Sequence, residues 1–289
     1  MRAILYLALF LAMLFVPVVQ AIDVVRYHIS KKNADAKQSY YIDMLHLALE
    51  KSKDIHGEYE FTPVVYEMPQ GRTSIMVQLD QGIDVTWRVT SQELEERLQA
   101  VYVPLLKGMM GHRIFIINQS DQSRFSPDMS LEQLRKMSAG QGYDWPDSIV
   151  LQHNGINVVE GGTDKLLTML ARRRFDYFPR AIHEPWTEII DKPEFIVEKH
   201  ILLRYPAPFY FFVNKDNTKL YHRINNGLEI AIEDGSFDQL FENHPITKEV
   251  LKAAAISERK VFQLTNPILS ERSQALLKEP RYWLNLSSQ

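Results

Sequence analysis

Two arginines stand at matching places in two similar segments. The first segment is Ile75-Met-Val-Gln-Leu-Asp-Gln-Gly82, followed by Ile83-Asp84-Val85-Thr86-Trp87-Arg88. The second runs from Leu166 to Arg173 and continues as Arg174-Phe175-Asp176-Tyr177-Phe178-Pro179-Arg180. Each reads as an amphipathic helix, a tight turn and a strand whose Asp is followed four residues later by an arginine. A guanidinium is a planar fork that grips a carboxylate or phosphate through two bonds. In open α/β sheets, ligands sit beyond the carboxyl ends of the strands. The two units, with arginines at 88 and 180, therefore predict two lobes that face one cleft, each contributing a cation.

Other residues are candidates for the same cleft, each with a plainer role beside it. Trp87 offers a flat wall for stacking or cation–π contact, or is simply core. Gly140-Gln141-Gly142 precedes Tyr143-Asp144-Trp145; glycines let backbone N–H groups approach a ligand, and they also make ordinary turns. No third glycine or opening helix follows, so this is no dinucleotide fingerprint. Gln141, Asp144 and Trp145 are taken as ligand-facing from this segment. Arg72 lies in the first turn of a helix begun at Pro69, the end that attracts anions. Arg97 follows Ser91, a helix cap, and either meets the ligand or pairs with Glu93 one turn back. Tyr27 lies near the end of the first strand, where it can face the cleft.

Chemistry is harder to find than binding. The chain has no zincin, nucleophile-elbow or phosphate-loop motif. His183-Glu184 and Asp176 are conceivable acid–base groups, but nine histidines and 36 acids make such neighbours by chance. The histidines lack metal-ligand spacing. No cofactor is expected. Arg172-Arg173-Arg174 reads as a solvated helix end that suits the helix dipole.

The start, Met1-Arg2 and an uncharged apolar run to Val19, closes on Val19-Gln20-Ala21. This reads as a secretory signal peptide cleaved after Ala21; a membrane anchor is the alternative. The remaining length suits two lobes. The absence of cysteine leaves no disulfide staple and fits a bacterial periplasm. With 33 basic against 36 acidic residues, nucleic acid is not an expected partner.

Alternation and helical spacing give the order of elements. Strands are expected at 23–29, 59–66, 83–87, 113–118, 175–178, 201–205 and 209–213. Helices are expected at 39–51, 69–80, 163–173, 184–190, 220–232 and 237–241, with 101–106 extended. Ser130 and Gln133 form a capping box. Residues 139–145 are a short strand and glycine loop. No floppy linker appears, so strands must join the lobes.

The order of Gly82-Ile83-Asp84, then Thr90, Arg97 and Val101-Tyr102, then Arg174-Phe175-Asp176, then Asp234-Gly235-Ser236-Phe237 resembles the type 2 periplasmic solute-binding proteins. The likeness is to the family 3 group of polar amino-acid receptors and covers about 22–245. It implies an α/β, two-lobe Venus-flytrap fold, each lobe a sheet flanked by helices. Lobe 1 would comprise 22–116 plus 208–289, and lobe 2 residues 117–207. The resemblance also implies a monomer that holds a small-molecule ligand and serves an ABC transporter permease or a membrane sensor. It makes Arg97 the best match for the carboxylate-binding arginine. It places Arg180 where relatives carry an acid for the ligand ammonium, which favours an anionic ligand. The alternative is an enzyme derived from the same fold, a dehydratase or hydrolase acting through Asp144 or Glu184.

Overall fold

Two sheets divide the chain. The computed structural model describes residues 22–30, 36–68 and 70–284. The expected leader, its cleavage site and Pro69 lie outside the described residues. The strands are β1 (Asp23–Ile29), β2 (Tyr59–Val65), β3 (Val85–Val89), β4 (Gln99–Val101), β5 (His112–Asn118), β6 (Ser138–Gly142), β7 (Asn157–Gly161), β8 (Phe178–Ala181), β9 (Phe195–Val197), β10 (Ile201–Arg204), β11 (Phe209–Val213) and β12 (Lys260–Gln263).

The first sheet has the order β2-β1-β3-β11-β4. β1 runs parallel to β2 and β3, while β11 runs antiparallel to β3 and β4. The second has the order β12-β10-β5-β8, with β9 also on β5. β6 and β7 form a parallel pair, tied to the second sheet's region by a bridge between Ala139 and Tyr177.

The helix Ala36–Lys51 buries Tyr40, Tyr41, Met44, Leu45, Ala48 and Leu49, a stripe at helical spacing. The helix Thr218–Glu233 answers with Leu220, Ile224, Gly227, Leu228 and Ala231. The two pack so closely that a Cβ on Gly227 would lie 1.7 Å from the Ala48 carbonyl oxygen. Glycine is required there by contact, because only a bare Cα admits the neighbouring backbone. The following Asp234-Gly235-Ser236 turn has Gly235 at φ +80°, and Ser236–Asn243 is the next helix, as the sequence predicts.

Three expectations change. β5 pairs wholly within the second sheet, so a lobe boundary at 116 would cut a continuous strand. The tail's β12 pairs in parallel with β10, so the tail does not lie wholly in the first lobe. The strand expected at 175–178 forms at Phe178–Ala181 instead. Asp176 is held ahead of it by the Ser138 amide (2.7 Å) and Arg124 (2.7 Å). Pro179 is tolerated because β8 closes the sheet's edge, where a missing N–H breaks no ladder. The helix Pro146–His153 and β7 follow the segment read as a short strand and glycine loop, where β6 forms; neither element is expected from the sequence.

The tail returns to the first lobe after β12. The Asn154 side chain trades two hydrogen bonds with Thr265, Nδ2 donating to its carbonyl (2.8 Å) and Oδ1 accepting from its amide (3.1 Å). Asn266 Nδ2 donates to the Pro206 carbonyl (2.8 Å). The Gln92 amide donates to the Ile268 carbonyl (2.7 Å).

Gly227→Ala is expected to lower stability by about 1–3 kcal/mol, the usual cost of overpacking. Urea unfolding of the variant against the parent measures it, and an unchanged midpoint would contradict the close helix contact.

Candidate functional site

Arg88 stands on β3, directly opposite Tyr210 of β11. It is partly buried, and its Nη1 donates to Ser74 Oγ (3.1 Å) on the helix Gln70–Gln78. Among the described residues no carboxylate lies within ion-pair distance of it, so most of its five N–H donors are unspent. Burial lowers its pKa, with Asp144 pulling the other way and Arg97 adding to the fall. Asp144 follows β6, near the second sheet, so a carboxylate of the other lobe acts on the charge of Arg88 without an ion pair forming between them.

Asp144 is exposed, at φ +60°, a backbone shape that Asp tolerates better than most residues. Among the described residues it has no hydrogen-bond or ion-pair partner. The turn that presents it closes with the Trp145 amide on the Gly142 carbonyl (3.2 Å). The glycines on either side of Gln141 serve packing. A Cβ on Gly140 would lie 2.2 Å from the Phe175 ring, and one on Gly142 would lie 2.4 Å from Trp145. Gln141 itself is 1% exposed, and among the described residues neither of its amide atoms has a hydrogen-bond partner.

Arg180 is placed very differently from Arg88. Only 6% exposed, it donates from Nε and Nη2 to the two Glu188 oxygens (2.9 and 2.6 Å). Nη2 also lies 2.8 Å from Glu184. Its guanidinium carbon sits 4.8 Å from the Trp145 ring centre and 4.9 Å from that of Phe178. Burial alone would lower its pKa; the two carboxylates more than offset that and raise it. The pairing extends inward. Arg113 meets Glu184 (3.7 Å) and Asp147, and the Tyr205 hydroxyl donates to Asp147. Two guanidinium groups are thus buried among three carboxylates.

The remaining candidates scatter. Arg97 pairs with Glu93 (3.4 Å) and donates to Gln78 (3.0 Å). Arg72 is exposed in the first turn of its helix. Tyr27 is buried and stacked on Phe61 at 4.1 Å. Trp87 packs against Tyr41 and Phe211, on the face of β3 opposite Arg88. Arg88 and Asp144 are therefore the pair brought together, while Arg180 is neutralised within its own lobe. Sequence reasoning missed Ser74, Asp147 and Arg113. It did not see that Glu184 and Glu188, four and eight residues after Arg180, would hold it.

No family model matches the chain, and no curated protein is similar to it in sequence. Solved structures are similar. A Salmonella typhimurium periplasmic binding protein described for high arginine specificity aligns at a TM-score of 0.57 and 13% identity. That match covers 77% of this chain and 99% of that one. The fold is that of a type 2 periplasmic binding protein. An amino acid ABC transporter substrate-binding protein from Streptococcus pneumoniae, bound to L-arginine, gives 0.57 at 11% identity, covering 80% of this chain and 94% of that one. A histidine kinase sensor domain with similarity to periplasmic binding proteins gives 0.56 at 14%, covering 78% and 96%. Nearly the whole of each binding-protein neighbour is matched, while a fifth or more of this chain is left over. Among the described residues, no helix is long and apolar enough to cross a membrane.

Two measurements probe this region. Arg180→Ala strands two buried carboxylates and is expected to cost about 3–5 kcal/mol, seen as a lower melting temperature with unchanged secondary structure. His112 opens β5 beside Arg113, and burial pushes its pKa down to about 4 despite the hydrogen bond to the Gly108 carbonyl. The unfolded chain then binds this proton from about pH 6.5 downward and the folded chain only near pH 4. Stability is thus full above pH 6.5 and falls between 6.5 and 4. His112→Asn is expected to remove most of that fall, about 3 kcal/mol; identical pH profiles would contradict it.

Proposed function

We propose that the chain is a periplasmic solute-binding protein that holds a small zwitterionic, amino-acid-like ligand between its lobes. Arg88 takes the ligand carboxylate, with Ser74 fixing the guanidinium, and Asp144 takes the ammonium. The observation that carries this reading is a partly buried arginine with unspent donors, facing an unpartnered carboxylate on the other lobe. A site with one free charge of each sign fits a zwitterion better than a dianion. The anionic ligand first expected rested on Arg180 as a second grip, and its neutralisation by Glu184 and Glu188 removes that support. The fold supplies the rest: closure of the lobes buries the ligand and shifts the population toward the closed form.

The ligand is delivered to a membrane transporter or a membrane sensor; the neighbours include both an ABC transporter component and a histidine kinase sensor domain. The leader read from the sequence supports export. A binding role is favoured over catalysis because Glu184, the better-placed acid, is held by Arg180 and by the Ala181 amide (2.8 Å).

Thermal melting of the chain from Ile22 onward against a metabolite panel tests the proposal. Amino acids are expected to raise the melting temperature, and dicarboxylates without an amine are not. Arg88→Ala should abolish the shift, and Asp144→Asn should weaken binding at least tenfold, about 1.4 kcal/mol. A shift given only by amine-free acids would overturn the reading.

A further inference from the structure

The tail after β12 touches every part of the hinge. Thr265 is fastened to Asn154 of the second lobe, and Asn266 to Pro206 in the crossing between β10 and β11. Ile268 is fastened to Gln92 of the first lobe. Ser270 and Ser273 then both donate to Glu95 (2.5 and 2.7 Å), which also accepts from Thr90 (2.5 Å) and Tyr102 (3.0 Å). At the far end, the Leu284 amide donates to the Lys107 carbonyl (3.0 Å), in the crossing between β4 and β5. There Trp283 lies against Gly108, where a Cβ would come within 3.0 Å of its ring.

Length turns these contacts into a mechanical statement. Thr265, the last anchor on the second lobe, is three residues from Ile268, the first on the first lobe. Three extended residues span at most about 10 Å, and Pro267 stiffens the middle. The lobes cannot separate at this point without breaking an anchor. Much of this anchoring is side-chain work, from Asn154, Asn266, Ser270 and Ser273, so it is built into the sequence of this tail. The expected leader of 21 residues is also too short to account for the part of this chain that its structural neighbours leave unmatched.

We propose that residues 264–284 are a brace that restricts opening of the two lobes and holds the ligand-free chain near the geometry that brings Arg88 and Asp144 face to face. The tether confines lobe motion to rotation about an axis close to the two crossings. A receptor held near its closed form loses less affinity to the conformational equilibrium than one that samples wide openings. The proposal concerns the ligand-free chain and does not depend on what the cleft binds.

The experiment lengthens the tether while keeping its anchors. Three residues, Gly-Ser-Gly, are inserted between Asn266 and Pro267, which costs only the local bond from the Ile268 amide to Asn266. The reach then rises from about 10 Å to about 20 Å. Because the chain has no cysteine, spin labels at Asp128→Cys and Glu233→Cys are unique, one exposed position on each lobe. Pulsed electron resonance on the ligand-free protein should give a narrow distance distribution in the parent and an outward-shifted, broader one in the insertion variant. Asn154→Ala, which frees Thr265 from the second lobe without changing chain length, should move the distribution the same way and decides the matter if the insertion fails to fold. Distributions that coincide with the parent's would overturn the brace. Failure of every amino acid to bind would overturn the proposed ligand and leave this result standing.

Discussion

A guanidinium taken out of water must find its counter-charge inside the protein, and that requirement organises the second lobe. Arg180 lies under Trp145 and Phe178, where an unpaired cation would cost several kcal/mol. Glu188 meets it with both oxygens, Glu184 joins from the adjacent turn, and Arg113 and Asp147 continue the chain of opposite charges. The members come from β8 and the turn and short helix after it, from the start of β5 and from the first turn of the helix Pro146–His153. One electrostatic demand therefore fixes how three elements meet. Since Trp145 leads into that helix and stacks on Arg180, the turn carrying Asp144 is positioned by the same network.

The consequence for the cleft is an asymmetry between two arginines that look alike in the sequence. Arg180 has spent its charge on its own lobe. Arg88 has given one hydrogen bond to a serine and faces a carboxylate too distant for a direct ion pair. Arg97, which the family pattern favours, is partly buried like Arg88 but shares its guanidinium with Glu93 and Gln78. A ligand carboxylate gains most at the cation that is partly desolvated and still has donors to give. By that measure Arg88 outranks both.

Much of the fold was legible because it is local. The stripe in Ala36–Lys51, the capping box at Ser130 with Gln133, the cap at Ser91 and the turn at Gly235 all follow from spacing within a few residues. The two-lobe α/β reading agrees with the solved neighbours. What failed was non-local. Phe175-Asp176-Tyr177 has strand-like alternation, yet the strand begins at Phe178 because Asp176 is captured by Ser138, 38 positions away. β12 has a weak pattern of its own and exists because β10 offers it an edge. At the site, the four-residue steps from Arg180 to Glu184 and Glu188 carry a pairing signal that the reading of Arg180 as a ligand grip passed over. The approach of Asp144 to Arg88 was not, since it depends on how the two lobes stand.

That stance is the point where fold and function meet. A two-lobe receptor joined by two strands opens freely, and its ligand must supply the free energy of closing. Here the first crossing is crowded against the second, with Gly111 so near Tyr205 that a Cβ would fall 1.9 Å from its carbonyl oxygen. Glycine at 111 lets the two crossings run side by side, and the Tyr205 amide donates to the Gly111 carbonyl (3.0 Å). Tyr205 also closes the buried charge chain through Asp147. The same residue thus belongs to the hinge and to the network that positions Asp144. Any rotation that opens the cleft turns about a segment whose neighbours are fixed by buried charge, and the direction in which Asp144 can leave Arg88 is set there.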